Sequence, residues 1–482
     1  MAVPAPEPPV DPAPAPVPGP RGVPDARAAA PAPLVRLPDG TVKQVSPLTG
    51  TVVWTVPGRA ERPVPTAPVE RRHLDPARRD RLCAFCAGRY AETPPERARL
   101  VAGPEGPRVL TGLPASRLTA TVAEVRRIPN LYAVLPTDYW RTNHGYVPGP
   151  EVLERVDAYL AEPEGRMHVM AVLARREASA GRQDSWLRSP ADQRRAAALE
   201  LFAGAHDLVV ARRHVVDGAR FEDELAGAGT LTPDEHHAYV AMTVEGLRDV
   251  YERQPHARYV VAFQNWLRPA GASFDHLHKQ LVAVDEPGPQ VAHETRLVRR
   301  DPDVYQRLVH HARAEGLVVA RNLHAVAVAG VGHPFPSLEV YPVGRPRQPW
   351  EHSADELRGV SDLLHALHAA TGPTVPTNEE WHHRPPGVDA PLRWRVVLAW
   401  RVSTPAGFEG GTGIHVSTVD PWTVRERVVG ALRGLRDAGL VAPVQLGDEA
   451  ARGPLTLLPP LRPSGPAPAR TPRGRAERAP AR

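Results

Sequence analysis

A His-x-His-x-Gln pattern on a predicted strand constrains this chain more than any other stretch. The pattern runs from His276 to Gln280, and the apolar residues Leu281 to Val284 continue it. Because side chains alternate between the two faces of an extended strand, both histidines and Gln280 should share one face, and Lys279 should point to the other. A strand in a sheet is a rigid support, which suits chemical groups that must be placed accurately.

The pattern fits phosphoryl or nucleotidyl transfer. Neutral imidazole attacks phosphorus and leaves again from the phosphoramidate at neutral pH, so His278 is the candidate nucleophile. Gln280 could donate its amide hydrogens to a phosphate oxygen, and Ser273 could bond to the same group. The alternative is a pair of strand histidines that bind other protein groups or a metal. The pattern alone favours neither interpretation.

The sequence around the pattern resembles the galactose-1-phosphate uridylyltransferase family, a branch of the histidine-triad superfamily. The family signature reads approximately G-x-S-x-x-H-P-H-x-Q and follows a strand that ends in F-x-N. Phe263–Asn265 and Gly271–Gln280 match these two blocks in order. Two departures are Leu277, in place of the usual proline, and Lys279, in place of a small residue.

The resemblance assigns roles to these residues. It implies that His278 becomes uridylylated, that Gln280 stabilises the phosphate with Ser273 nearby, and that His276 is a zinc ligand. It also places Asn265 at the substrate. The family is built from two related α+β halves and is usually dimeric, so an α+β fold with two histidine-triad-like halves is expected, each an antiparallel sheet with packed helices, and a homodimer is possible.

The only two cysteines, Cys83 and Cys86, form a C-x-x-C motif. Two thiolates on a tight turn suit tetrahedral zinc. A thioredoxin-like redox pair is the alternative, but such a pair opens a helix after a strand, whereas an Arg-rich stretch precedes this motif and Thr-Pro-Pro follows it. The block also resembles the family's C-P-F-C-P-G-x-E-x-x-T-P-P-E, which favours zinc.

Zinc needs two further ligands. The resemblance implies His276 for one and His214 for the other, since Gly204–His214 is similar to the family's G-x-H-E-V-x-x-E-S-x-x-H. Cys83, Cys86 and these two histidines would form a closed structural site with no position left for water. The alternatives for the fourth ligand are His206, His236 and His237.

Two further blocks imply contacts with the nucleotide. Ser46–Pro63 looks like the family's N-P-L-T-G-x-W-V-x-x-x-x-x-R-A-x-R-P, which implies that Arg59 and Arg62 neutralise phosphates, a role for which guanidinium is well shaped. Alone, they would be taken for exposed loop arginines.

The second of these blocks, Arg127–Leu135, looks like the family's P-N-K-Y-P-A-L. It implies a base or ribose contact for Asn130 and Tyr132. A buried tyrosine and a turn asparagine are the alternative.

The second half carries one more block. Thr404–Gly413 resembles the family's A-G-F-E-x-G-T-G loop, which reaches to the substrate sugar and implies contacts from Phe408 and Glu409. On the strand before it, Arg393 and Arg395 stand where the family commonly has H-x-H. Because cations cannot ligate a metal, a second metal site is not expected; if they face the pocket, the arginines would favour an anion.

Composition sets the limits of the folded region. Residues 1–33 are mostly Pro, Ala, Val and Gly, and residues 446–482 end in a Pro-, Ala- and Arg-rich stretch, so both are predicted to be disordered tails. Residues 34–290 are predicted to form the catalytic half with the zinc site, and residues 291–445 the second half. Basic residues without interleaved aromatics argue against nucleic-acid binding. Without a bilayer-length apolar run or a signal peptide, a cytoplasmic protein is expected.

The sequence therefore predicts a nucleotidylyltransferase that acts by double displacement. His278 would attack the α-phosphorus of a UDP-sugar, sugar 1-phosphate would leave, and a second sugar 1-phosphate would take the uridylyl group. The alternatives are a nucleotide phosphorylase or hydrolase on the same scaffold, or a zinc-stabilised nucleotide-binding protein without turnover.

Overall fold

A computed structural model describes residues 32–58 and 71–460, and the described residues from Pro33 to Pro460 form one compact unit. The predicted α+β class is confirmed. The strands are Leu34–Arg36 (β1), Val42–Val45 (β2), Val52–Thr55 (β3), Ala98–Val101 (β4), Arg108–Thr111 (β5), Val125–Pro129 (β6), His206–Ala211 (β7), Tyr259–Trp266 (β8), His278–Val284 (β9), Val318–Arg321 (β10), Ala325–Ala329 (β11), Ser337–Pro342 (β12), Thr377–His382 (β13), Arg395–Trp400 (β14), Ile414–Ser417 (β15) and Gln445–Leu446 (β16).

Helices cover much of the remaining chain. The α-helices are Thr137–His144 (α1), Pro150–Ala161 (α2), Pro163–Ser179 (α3), Gln183–Leu187 (α4), Ala191–Ala203 (α5), Pro233–Arg253 (α6), Gly288–Arg300 (α7), Val304–Ala314 (α8), Ala354–Thr371 (α9), Gly407–Thr412 (α10), Pro421–Asp437 (α11) and Gly447–Ala451 (α12). Short 3-10 helices occur between them. In the described part of the chain, every helix is too short or too polar to cross a lipid bilayer.

Twelve strands form one antiparallel sheet that runs through both halves. Its order is β16-β10-β11-β12-β14-β13-β8-β9-β7-β6-β4-β5. Outward from the β8–β13 junction, each side repeats the same plan, because β8, β9, β7, β6 and β4 correspond to β13, β14, β12, β11 and β10. The fold thus consists of two related halves joined edge to edge. The predicted boundary at residues 290 and 291 falls inside α7.

The two long helices each begin at a residue that caps the first turn. The hydroxyl of Thr232 accepts a hydrogen bond from the backbone N–H of Glu235, and the carboxylate of Glu235 accepts one from the backbone N–H of Thr232. Ser353 and Glu356 pair in the same way, so both helices open with a capping box. The resulting helices, α6 and α9, pack against each other and against one face of the large sheet. This leaves the other face of β8 and β9 for polar side chains.

The remaining elements extend the fold at three places. A four-stranded sheet, β1-β2-β3-β15, joins the N-terminal strands to the second half, with β15 parallel to β3. A small apolar cluster joins α2, α3 and α5. The predicted start of the C-terminal tail at residue 446 is too early, since β16 pairs with β10 and Leu455 and Leu457 are buried.

Candidate active site and metal centre

The nucleophile candidate His278 opens β9 at the centre of the large sheet. The loop before it turns at Leu267, with φ 66°, and at Gly271, with φ 88°, both in the left-handed region that favours glycine. The ring of His278 is buried, and its Nδ1 lies 2.8 Å from the carbonyl oxygen of His276. Burial lowers the pKa of His278 to about 4, although this hydrogen bond opposes the shift. The imidazole is therefore neutral at pH 7.

The four predicted metal ligands converge beside this strand. Their ligand atoms all lie within 4.8 Å of one another. Sγ of Cys83 is 3.8 Å from Sγ of Cys86 and 3.5 Å from Nδ1 of His276, and Sγ of Cys86 is 3.5 Å from Nδ1 of His214. No other group of three or more ligating side chains converges in this way within residues 32–58 and 71–460.

These separations fit zinc. A tetrahedral ion with Zn–S bonds of about 2.3 Å and Zn–N bonds of about 2.0 Å has S···S edges of about 3.8 Å and S···N edges of about 3.5 Å. Nε2 of His276 lies 2.8 Å from the carbonyl oxygen of Ala211, so this nitrogen is the donor and Nδ1 keeps its lone pair for a metal. A hydrogen bond from Cys83 lowers the pKa of Cys86 despite burial, and both histidines add to the effect.

The predicted phosphate donor, Gln280, lies two residues beyond His278 on the same face. Its Oε1 is 3.1 Å from Nε2 of His206, which comes from the neighbouring strand β7. His206 therefore contacts Gln280 instead of serving as the fourth metal ligand. His236 is also away from the metal group, because it is buried next to Ser361 with Nδ1 2.8 Å from the hydroxyl.

An aromatic pair that no motif predicted joins the loop of Cys83 and Cys86 to His278. Phe85, between the two cysteines, is buried, with its ring centroid 5.4 Å from that of His278 and 6.1 Å from that of His276. Phe274 packs on Phe85 at 4.5 Å and remains 40% exposed. The two rings cover one side of the imidazole and shield it from water. The sequence signal was the position of each phenylalanine inside a recognised block.

The opposite face of β9 carries a buried ion pair. As expected from strand alternation, Lys279 points away from His278, and its Nζ lies 2.5 Å from Oε1 of Glu379 on β13. The other carboxylate oxygen is 2.7 Å from Nε2 of His368. Burial lowers the pKa of Lys279, whereas Lys279 and His368 lower that of Glu379 although burial alone would raise it.

Four other predicted site residues lie on β8, before β9 and after β6. Asn265 on β8 accepts a hydrogen bond from Asn378 at 2.7 Å, and Asn130 holds the backbone N–H of Tyr132 at 2.9 Å. Tyr132 is 60% exposed, which makes the buried-tyrosine alternative wrong. Ser273 is exposed and has no side-chain hydrogen bond to the described residues.

The remaining predicted contacts are not joined to this site. Phe408 and Glu409 lie on α10 beside the small sheet, where Phe408 faces Trp54 at 6.4 Å and Glu409 accepts from the backbone of Ala406 at 2.8 Å. Within the described residues, neither bonds to the elements that carry His278. Arg59 and Arg62, which the family pattern predicts to neutralise phosphates, lie outside the described residues.

Arg393 and Arg395, which stand at the family's H-x-H position, bind other groups of the protein. Arg395 is buried and pairs with Glu294 on α7 at 2.9 Å. Arg393 donates to the carbonyl oxygens of Gly344, at 2.6 Å, and Leu458. Both guanidiniums are thus used inside the fold, and the interpretation in which they face a substrate pocket does not hold.

Known structures share this architecture. The structure of an ADP-glucose phosphorylase from Arabidopsis thaliana with bound ADP-glucose superposes with a TM-score of 0.52 at 17% identity, over 80% of this chain and 97% of that one. A GalT-like protein from the same plant gives a TM-score of 0.51 at 17% identity, over the same shares of the two chains. A search of curated protein sequences finds no match.

The chain has the fold of these GalT-like structures, and that fold brings the His-x-His-x-Gln strand next to a Cys2His2 group. The resemblance predicted from the sequence is confirmed in this respect. The chain belongs to the family described as "Domain of unknown function (DUF4921)", whose model matches residues 37–457.

Proposed function

We propose that the chain is a nucleotidyltransferase that takes a nucleoside monophosphate from a nucleotide sugar onto Nε2 of His278. One observation carries this proposal. Nδ1 of His278 donates to the carbonyl oxygen of His276 at 2.8 Å, so the neutral ring keeps its lone pair on Nε2. A buried imidazole held in one tautomer and one orientation is suited to attack phosphorus.

The proposed reaction is a double displacement. Nε2 of His278 attacks the α-phosphorus, an N–P bond forms, and the bond to the bridging oxygen breaks, so sugar 1-phosphate leaves with the electron pair. The amide of Gln280 donates to an α-phosphate oxygen as charge develops there. An acceptor oxygen then attacks phosphorus, the N–P bond breaks, and Nε2 regains its lone pair.

The other roles follow the family pattern. A zinc ion would fix the loop that packs on His278, without taking part in the chemistry. The substrate contacts proposed with it are those of Arg59, Arg62, Asn130, Tyr132, Asn265, Ser273, Phe408 and Glu409. The metal would be held by Cys83, Cys86, His214 and His276.

The molecule that takes the nucleotidyl group from His278 decides between two kinds of enzyme. A uridylyltransferase-like enzyme would use a sugar 1-phosphate, with UDP-glucose as the donor. A phosphorylase would use inorganic phosphate, and two observations favour keeping this second candidate. One is the similar fold of the protein named ADP-glucose phosphorylase. The other is that Glu409, the proposed sugar contact, caps the N-terminus of its own helix instead of facing the site.

The intact mass of the full chain tests the first half-reaction. We would incubate it separately with UDP-glucose, ADP-glucose and a GDP-sugar, and we expect a mass gain of one nucleoside monophosphate with the preferred donor. His278→Ala should gain nothing. His310→Ala, which removes an exposed histidine on α8, should behave like the wild type.

Acceptors are then added to the labelled protein. Loss of the label with inorganic phosphate but not with glucose 1-phosphate indicates a phosphorylase, the reverse indicates a transferase, and loss in buffer alone indicates a hydrolase. If zinc-loaded wild type gains no mass with any donor, the covalent mechanism is wrong for these substrates, and a binding protein becomes the better interpretation.

A further inference from the structure

The amide of Gln280 can work only in one of its two orientations. Its NH2 group stabilises a phosphate oxygen, whereas its carbonyl oxygen would repel one. Something in the protein must therefore select the orientation. The side-chain oxygen of Gln280 lies 3.1 Å from Nε2 of His206, on the neighbouring strand β7.

The tautomer of His206 is set by the main chain. The backbone N–H of Val134 points at Nδ1 of His206 across 3.2 Å. A backbone donor cannot turn round, so Nδ1 is the acceptor, and in a neutral ring the proton lies on Nε2. Burial lowers the pKa of His206, which keeps the ring neutral. Nε2–H then donates to the oxygen of Gln280.

A third contact tests this assignment. The amide nitrogen of Asn130 is 3.0 Å from Nε2 of His206, and the Asn130 oxygen is already used by the N–H of Tyr132. The opposite tautomer of His206 would satisfy Asn130 alone and would break the bonds to both Val134 and Gln280. Two hydrogen bonds outweigh one, so the Nε2–H tautomer is favoured.

We propose that His206 is a positioning residue that turns the oxygen of Gln280 toward β7 and its NH2 group toward the phosphate. The inference rests on the proposed function, because it deepens the role of Gln280 at the same site. His206 itself would not touch the reacting atoms. Loss of its ring should act through Gln280 on the transfer step, more than on substrate binding.

The first test does not depend on turnover. Nitrogen NMR of the full, zinc-loaded chain at pH 7, with the ring assigned by comparison with His206→Phe, should show His206 neutral with its proton on Nε2. A proton on Nδ1, or a doubly protonated ring, overturns the inference. This result is independent of whether any nucleotide sugar reacts.

The second test measures coupling. The rate of adduct formation on His278 at saturating donor should fall about 10-fold to 100-fold in His206→Phe, with a smaller change in half-saturating concentration. His206→Gln, whose amide can donate to Gln280, should recover part of the rate, whereas the acceptor-only His206→Glu should not. In a Gln280→Ala background, His206→Phe should change the rate by less than about 2-fold.

The two tests separate the possible failures. If the losses from His206→Phe and Gln280→Ala multiply, His206 acts independently and its role as a positioning residue is refuted while the proposed function stands. If the wild type forms no adduct, the proposed function fails and this role fails with it, whatever the NMR tautomer.

Discussion

Glu379→Gln should change how the free energy of unfolding depends on pH, because it leaves the buried Lys279 without its opposite charge. Both side chains of this ion pair are fully buried, with Nζ and Oε1 2.5 Å apart. Removing one partner of such a pair leaves an uncompensated charge, which costs about 3–5 kcal/mol. We expect a loss of this size near pH 7 in the free energy of unfolding.

The sign of the pH dependence follows from linkage. Burial already lowers the pKa of Lys279, and without Glu379 the pKa falls further. Between that pKa and the unfolded value of about 10.4, the unfolded chain binds more protons than the folded one, so the free energy of unfolding rises with pH. The deficit of Glu379→Gln should therefore shrink toward pH 10, by at most about 1.4 kcal/mol per pH unit.

Lys279→Met is the matched control. It leaves Glu379 with donors from His368 and Trp381 but without its main opposing charge, so the pKa of Glu379 should rise. A carboxyl with a raised folded pKa loses stability as pH rises through that pKa, so this deficit should stay level or grow.

The assay is urea unfolding of both variants and the wild type at pH 7, 8, 9 and 10, followed by tryptophan fluorescence. Parallel pH dependence of the two variants would refute the reasoning. So would losses below about 1 kcal/mol in both, the range of exposed pairs.

Further predictions concern the metal, one cap and one close contact. Cys83→Ser should lower bound zinc, measured by plasma mass spectrometry, from about one ion per chain to nearly none; unchanged zinc would contradict the assignment. Thr232→Ala removes the hydroxyl that caps α6 and should cost about 1 kcal/mol in urea unfolding, and an unchanged midpoint would speak against the cap. Gly229→Ala places a methyl group against the backbone nitrogen of Ala369 and should cost about 1–3 kcal/mol, whereas Gly410→Ala, with open space around it, should not; equal effects would argue against the contact.

Local patterns predicted much of the site. Strand alternation correctly separated His278 from Lys279, which lie on opposite faces of β9. The metal group required motif order as well, since Cys83 and His276 are 193 residues apart. These features are determined by residues that lie within a few positions of one another in each motif.

Other features depend on pairing that no short stretch records. The contact between His206 and Gln280 follows from the register of β7 on β9, together with a backbone N–H contributed by Val134. The partner of Lys279 is 100 residues away and lies across the intervening strand β8. Likewise, the sequence did not predict that residues 446–460 are ordered. The strand β16, which pairs with β10, has only two residues and therefore no periodicity to detect.

The symmetry of the large sheet gives the strand of His278 a counterpart in the second half. Counted outward from the β8–β13 junction, β14 is the counterpart of β9, and Arg395 opens β14 as His278 opens β9. Both positions are buried and both hold a nitrogen side chain, but their chemistry differs. Imidazole can be neutral at pH 7 and so has a lone pair for attack, whereas guanidinium stays protonated and needs a counter-charge. Glu294 on α7 supplies it. The same strand position therefore holds the proposed nucleophile in one half and a packing residue in the other.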